Sequence, residues 1–85
     1  MSYEVELKKS AGKALDTIPS YDRERIIEAL VGLKTEPRPV GCKKLSGREG
    51  WHIRSQNYRI IYEINDAAKR VLVLVIGHRR DVYRR

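Results

Sequence analysis

Cysteine is nearly absent from this 85-residue sequence, since Cys42 is the only one. No disulfide can form within the chain, so its stability must come from a thin hydrophobic core. A lone thiol is typical of proteins from a reducing compartment. The opening residues MSYEVELKKS also lack the apolar run of a secretory signal. We therefore expect a cytoplasmic protein.

Long apolar runs are missing as well. The longest, Val71 to Ile76, is far shorter than the roughly 20 residues that cross a bilayer, so we expect no membrane partner. Metal ligands are also scarce, because one cysteine and two separated histidines, His52 and His78, form no recognisable ligand set. Neither a metal ion nor another cofactor is expected.

Charge is abundant and unevenly distributed. The net charge is +7. Residues 1–37 carry 6 Lys or Arg and 7 Asp or Glu, whereas residues 38–85 carry 12 and 4, giving balances of −1 and +8. The excess is mostly arginine, whose planar fork suits phosphate oxygens. This distribution predicts a polyanionic partner, with nucleic acid favoured over a membrane or an acidic protein.

Apolar periodicity in the first half of the chain predicts a strand followed by two helices. Residues 3–8 alternate apolar and polar side chains, as a half-buried strand does. Pro19 separates two helical segments, and Ser20 is the predicted N-cap of the second. The predicted helical faces are Ala11, Ala14, Leu15 and Ile18, then Ile26, Ile27, Leu30, Val31 and Leu33.

The second half predicts a loop through Gly41, Gly47 and Gly50, anchored by Leu45, and then three strands. The last of these, Val71 to Ile76, is apolar at every position, which is typical of a strand covered on both faces. Residues 65–68 form the predicted hairpin turn. The expected fold is a single α+β domain over residues 1–85 with the order β-α-α-β-β-β. Its mainly antiparallel sheet carries a two-helix hairpin on one face.

Strand alternation also predicts where the basic side chains of the sheet lie. If the helices cover Trp51, Ile53, Ile60 and Tyr62, the alternate positions must point to the opposite face. Those positions are His52, Arg54 and Arg59. Like charges repel, so such a cluster favours binding of a phosphate over a purely structural role.

The segment from Gly50 to Arg84 contains GWHIRSQNYRIIYEIND, an apolar strand and then IGHRRDVYRR. This order resembles the RelE branch of the RelE/ParE toxin superfamily, and the likeness extends over nearly the whole chain. The resemblance implies the toxin of a type II toxin–antitoxin system, an mRNA interferase that acts on ribosome-bound mRNA. It also implies a RelB-like antitoxin as partner. Relatives need no metal, because the 2′-hydroxyl of the RNA attacks the neighbouring phosphate.

The resemblance further implies a set of catalytic residues. The two alternating basic positions of the family match His52 and Arg54, and the arginine of its Tyr-Arg dipeptide matches Arg59. Its arginine after the last strand matches Arg79, and its tyrosine in the Val-Tyr pair matches Tyr83. This chain departs from the best-known members, which have lysine at the positions of His52 and Arg54.

In-line attack needs a base, cations around the phosphorane oxygens and an acid for the leaving oxygen. Arg59 and Arg54 are the expected phosphate ligands, and Arg79 is expected to stabilise the leaving oxygen or to donate to it through a water. Arginine does not deprotonate, so the base is His52, His78 or Tyr83, with His52 ranked above His78. Besides acting as base, the alternative roles of Tyr83 are stacking on an exposed RNA base and a hydrogen bond to the nucleophile. The remaining basic side chains are expected to contact RNA and ribosome: Lys43, Lys44, Arg48, His78, Arg80, Arg84 and Arg85.

Two other functions fit parts of the same sequence. A ParE-like toxin acts on DNA gyrase and has no nuclease activity, but such proteins generally lack the combination of Arg54, Arg59, Arg79 and Tyr83. A non-catalytic module that binds nucleic acid would explain the charge equally well. Cleavage of RNA separates the nuclease from the other two, and inhibition of gyrase supercoiling separates the ParE-like toxin from the binding module.

Overall fold

The structure is a computed structural model that describes residues 2–78. Its elements are β1 (Glu4–Leu7), α1 (Lys9–Asp16), α2 (Ser20–Thr35), β2 (Lys43–Lys44), β3 (Trp51–Ser55), β4 (Tyr58–Asn65) and β5 (Arg70–His78). The strands form one sheet in the order β1-β5-β4-β3-β2. Only β1 and β5 run parallel; the other pairs are antiparallel. The predicted α+β fold is confirmed. Within residues 2–78, no helix has the length and apolarity that a membrane crossing requires.

The sheet has one strand more than the sequence predicted. Lys43 and Lys44, assigned to a loop, form β2 and pair with His52 and Trp51 of β3. Two adjacent lysines give no apolar alternation, so the pattern of the sequence could not reveal this strand. Their charge suits an edge position, where lysine discourages pairing with another chain.

Both helices lie on one face of the sheet, and the core lies between the helices and that face. The α1 helix packs on β5 and β1, and α2 packs on β1 and β3. Tyr62 is fully buried at the centre, and its hydroxyl donates a 2.7 Å hydrogen bond to the carbonyl of Pro37. The core side chains are Ala11, Ile18, Ile26, Leu30, Leu33, Ile53, Ile60, Tyr62, Val71, Val73 and Ile76.

The apolar stripe of α2 is narrower than predicted. Ile26, Leu30 and Leu33 are buried, but Ile27 is 42% exposed and Val31 is 54% exposed. The two exposed residues lie on the same flank because they are four positions apart. A helix on one face of a sheet buries only the side turned towards it, so the adjacent apolar flank stays in contact with solvent.

The N-cap prediction for Ser20 is also wrong. Ser20 is already the first helical residue, and Pro19 takes the N-cap position without a capping side chain. The carbonyl of Pro19 accepts a 2.8 Å hydrogen bond from the backbone N–H of Arg23, which starts the helical ladder one residue early.

Only one face of β5 is covered by helices, which corrects the prediction of two. Val71, Val73 and Ile76 are buried, whereas Leu72 on the other face is 37% exposed. A bulge explains why three successive buried positions are not evenly spaced. Ile61 pairs with Val75 but the next residue of β4 pairs with Val73, so one extra residue of β5 fits between.

A network of polar side chains lies at the end of the sheet where the predicted turn joins β4 to β5. Arg38 donates two hydrogen bonds to the carboxylate of Asp66, at 3.2 and 2.9 Å. The hydroxyl of Tyr3 donates a third at 2.6 Å. Arg38 also lies 5.1 Å above the ring of Trp51. The network joins the segment after α2 to the turn and to the residues before β1.

Candidate active site

The register of three strands brings four basic side chains to the face of the sheet that lies away from the helices. Arg54 is directly opposite Arg59 in the β3–β4 pair, and His52 is two positions before Arg54. Lys43 is directly opposite His52 in the β2–β3 pair. Opposed residues and alternate residues share a face in an antiparallel sheet. The shared face of His52, Arg54 and Arg59 is therefore as predicted, and β2 adds Lys43.

These side chains line a concave surface that we call the cationic recess. It is formed by Gly41, Lys43, His52, Arg54 and Arg59 and has a volume of about 470 Å³. Arg54 is exposed, whereas Arg59 is only 3% exposed. The sequence assigned Lys43 to general RNA contacts, because nothing in its local pattern indicated that β2 would place it beside His52.

His52 and Arg59 are joined by a direct contact. The Nη1 of Arg59 lies 2.9 Å from the Nδ1 of His52. A guanidinium nitrogen can donate a hydrogen bond but cannot accept one, so Nδ1 must be the acceptor. The imidazole is then neutral and carries its proton on Nε2.

The surroundings of His52 favour the same neutral state. Partial burial lowers the pKa of His52 below its usual 6.5, and the charges of Arg59, Lys43 and Arg54 lower it further. In this arrangement Nδ1 is occupied by Arg59 and Nε2 already bears a proton. His52 is therefore set to donate a hydrogen bond from Nε2, and neither nitrogen is ready to take a proton from a substrate.

The remaining described residues of the predicted site lie away from the cationic recess. His78 pairs with Tyr58, and the two rings make an edge contact at 5.7 Å on the helix-facing side of the sheet. Lys44 pairs with Trp51 and shares that side. Arg48 is exposed in the connection between β2 and β3. Of these three, none joins His52 and Arg59 in the recess.

Five predicted residues fall outside the described part of the chain. Arg79 and Tyr83 were assigned to catalysis, and the others to contacts with RNA and ribosome. The full set is Arg79, Arg80, Tyr83, Arg84 and Arg85. The placement of His78 at the end of β5 shows only where this segment begins.

Comparison with known proteins identifies the family. The family model of the ParE toxin of type II toxin–antitoxin systems matches residues 5–83. The chain is 33% identical to toxin RelG of Mycobacterium tuberculosis, with all of both chains covered. A chain in the RelE–RelB complex of Pyrococcus horikoshii superposes with a TM-score of 0.83 at 30% identity, covering 93% of this chain and 97% of that one.

A third comparison, with the intact RelBE toxin–antitoxin complex of Escherichia coli, gives a TM-score of 0.79 at 29% identity, covering 91% of this chain and 96% of that one. Both the matched family model and the 33% identical relative extend over nearly the whole chain. The resemblance seen in GWHIRSQNYRIIYEIND and IGHRRDVYRR is thus confirmed. This chain belongs to the RelE/ParE family of toxins from type II toxin–antitoxin systems.

Proposed function

We propose that this toxin is an endoribonuclease that cleaves mRNA in the decoding site of the ribosome. The observation that carries the proposal is the cationic recess, where Lys43, Arg54 and Arg59 surround a neutral His52. Three cations on one concave sheet face repel one another and are best explained by a bound polyanion. The lone cysteine and the charge distribution support action on RNA in the cytoplasm.

Each group of the recess has a role in this reaction. The 2′-hydroxyl attacks the adjacent phosphorus, and negative charge develops on the non-bridging oxygens. Arg59 and Arg54 stabilise that charge, since fixed cationic donors in a shielded site act strongly on a transition state. The Nε2–H of His52 supplies a further donor. The products are a 2′,3′-cyclic phosphate and a free 5′-hydroxyl.

The hydrogen bond from Arg59 changes our choice of base. While this hydrogen bond is present, His52 donates from its Nε2–H and does not accept the proton of the 2′-hydroxyl. His78 lies on the opposite side of the sheet from the recess. We therefore assign the base to Tyr83 on the family pattern, with Arg79 stabilising the leaving 5′-oxygen, which takes its proton through a water.

Further basic residues hold the message and the ribosome by contacts to phosphates, which fix position without reading sequence. We assign this role to Lys43, Lys44, Arg48, His78, Arg80, Arg84 and Arg85. A cognate RelB-like antitoxin is the proposed protein partner, because matched chains come from complexes of RelE with RelB. The proposal includes neither a cofactor nor a membrane partner.

Cleavage on programmed ribosomes tests the proposal directly. We expect wild-type protein to cut the mRNA in the decoding site and to leave 5′-hydroxyl ends. Arg59→Lys should lower the rate by about 10²–10³-fold, because lysine loses the planar fork. Arg70→Lys is the matched control, since Arg70 contacts Glu4 and Glu6 at the other end of the sheet. Absence of cleavage by folded wild-type protein would refute the enzyme assignment.

A pH–rate profile separates the two candidate bases. We expect His52→Asn to lower the rate but to keep the ionisation of the base, because asparagine still accepts from Arg59 and does not titrate. Tyr83→Phe should remove the ionisation through which the rate rises at alkaline pH. If His52→Asn alone removed an ionisation near neutrality, His52 would be the base and our assignment would be wrong.

Inhibition of DNA gyrase is the second candidate function, because the matched family model is that of the ParE toxin. It predicts loss of supercoiling activity and intact mRNA. Parallel assays of gyrase supercoiling and of mRNA cleavage, with the same protein preparation, discriminate between the two. Inhibited supercoiling with untouched mRNA would establish the ParE-like function in place of the nuclease.

A further inference from the structure

An apolar groove adjoins the cationic recess. It has a volume of about 370 Å³ and contains two residues, Gly41 and Arg54, that also line the recess. Three separate segments form it: the last turns of α2, the loop before β2, and the outer edge of β3. Its lining residues are Ala29, Gly32, Pro39, Val40, Gly41, Ile53 and Arg54. The groove and the recess are therefore two compartments of one continuous surface.

A glycine in the last turn of α2, Gly32, lines the groove. Glycine in a helix interior costs about 1 kcal/mol relative to alanine. A Cβ added at Gly32 would meet no other atom of the described chain within 4 Å, so internal packing does not require glycine here. A side chain at this position would instead project into the groove. Nearby, Val40 is fully exposed at the rim, which leaves an apolar surface open to a ligand.

We propose that this groove is a nucleobase subsite that takes the base of the nucleotide whose phosphate lies in the cationic recess. The inference rests on the proposed function. A nucleotide carries an anionic group and a flat ring close together, which matches a cationic compartment joined to an apolar one. Arg54 lies at the junction, where its guanidinium can contact the phosphate and stack on the ring. An apolar side chain of the antitoxin would use the groove but not the three cations.

A matched set of glycine variants tests the subsite. Gly32→Ala and Gly12→Ala both replace a helical glycine whose added Cβ meets no described atom within 4 Å. Both should raise the melting temperature by a similar amount. Gly12 lies on α1, and the described lining of the groove does not include it. We expect Gly32→Ala to weaken RNA binding, Gly32→Leu to weaken it more, and Gly12→Ala to leave it unchanged.

The binding probe is a 2′-O-methyl trinucleotide, which cannot be cleaved because its nucleophile is blocked. A second probe lacks the central base. We expect the intact probe to shift the NMR amide signals of Ala29, Gly32 and Gly41, and the abasic probe to shift only that of Gly41. Wild-type protein should bind the intact probe about tenfold more tightly or better, as base stacking suggests. Gly32→Leu should abolish this difference.

The outcomes distinguish this proposal from the proposed function. Loss of the base-dependent affinity in Gly32→Leu supports the subsite even if ribosome-bound mRNA is not cut. Equal affinities of wild-type protein for the two probes would overturn the subsite, even if mRNA is cut normally. The subsite is also overturned if Gly32→Leu weakens binding of the antitoxin but leaves trinucleotide affinity unchanged, because the groove would then be a protein interface.

Discussion

The Nη1 of Arg59 donates a hydrogen bond to the Nδ1 of His52 over 2.9 Å, between neighbouring strands of the sheet. This contact determines the protonation of His52, because arginine stays cationic and can only donate, so the histidine must be neutral. It also fixes the direction of the remaining imidazole N–H. The two residues therefore act as one unit, in which the state of His52 depends on Arg59.

The pH dependence of stability tests this unit. The pKa of His52 is lowered in the folded state, so the unfolded state binds the proton first as the pH falls. Stability should therefore be lost as the pH falls below about 6.5 and be unaffected above it. His52→Asn keeps an acceptor for Arg59 and does not titrate. We expect the melting temperatures of wild type and variant to diverge between about pH 6.5 and pH 5; parallel curves would contradict the neutral state.

Asp66 makes a prediction of the same direction in a lower pH range. Hydrogen bonds from Arg38 and then Tyr3 lower its pKa from 3.8 to about 2. Its stabilisation is present above the unfolded pKa and is lost as the pH falls through about 2. Asp66→Asn should lower the melting temperature at neutral pH, with the difference shrinking towards pH 2. Glu28→Gln, in the exposed pair with Arg25, is the control and should change little at any pH.

The hydroxyl of Tyr62 should matter for stability even though Tyr62 lies on the opposite face of the sheet from the recess. Tyr62→Phe would leave the buried carbonyl of Pro37 without this hydrogen bond. We expect a loss of about 1–3 kcal/mol in the free energy of unfolding, measured by urea denaturation. Tyr21→Phe, at a tyrosine that is 64% exposed, is the control and should change it little. Equal effects in both variants would show that the Tyr62–Pro37 hydrogen bond contributes nothing specific.

Two adjacent isoleucines of α2 provide a test of the packing. Ile26 is fully buried and Ile27 is 42% exposed. Ile26→Ala should lower the free energy of unfolding by about 2–5 kcal/mol through the lost contacts and the cavity, while Ile27→Ala should cost much less. Both variants replace an isoleucine by alanine in the same helix, so the difference in helix propensity is the same in both. Similar losses would place the buried face of α2 elsewhere.

Local patterns in the sequence predicted most of the helices and strands. They also predicted the face of the sheet that carries His52, Arg54 and Arg59. Alternation along a strand is a property of the backbone, so residue spacing alone is enough to place His52 and Arg54 on one face. Two adjacent lysines carry no such pattern, so β2 and the position of Lys43 in the recess were missed. The apolar run of β5 was misinterpreted for a related reason: hydrophobicity alone does not show whether helices cover one face or two.

The sequence by itself determined the order of the elements other than β2, the family and the basic character of the second half, because these depend on residue type and spacing along the chain. Only the tertiary structure decided that Arg59 is buried, that it binds Nδ1 of His52, and that α2 leaves a groove beside the recess at Gly32. These features depend on distances between segments that are far apart in the sequence. The predicted basic face is thus a recess in which one histidine is held neutral by its arginine neighbour.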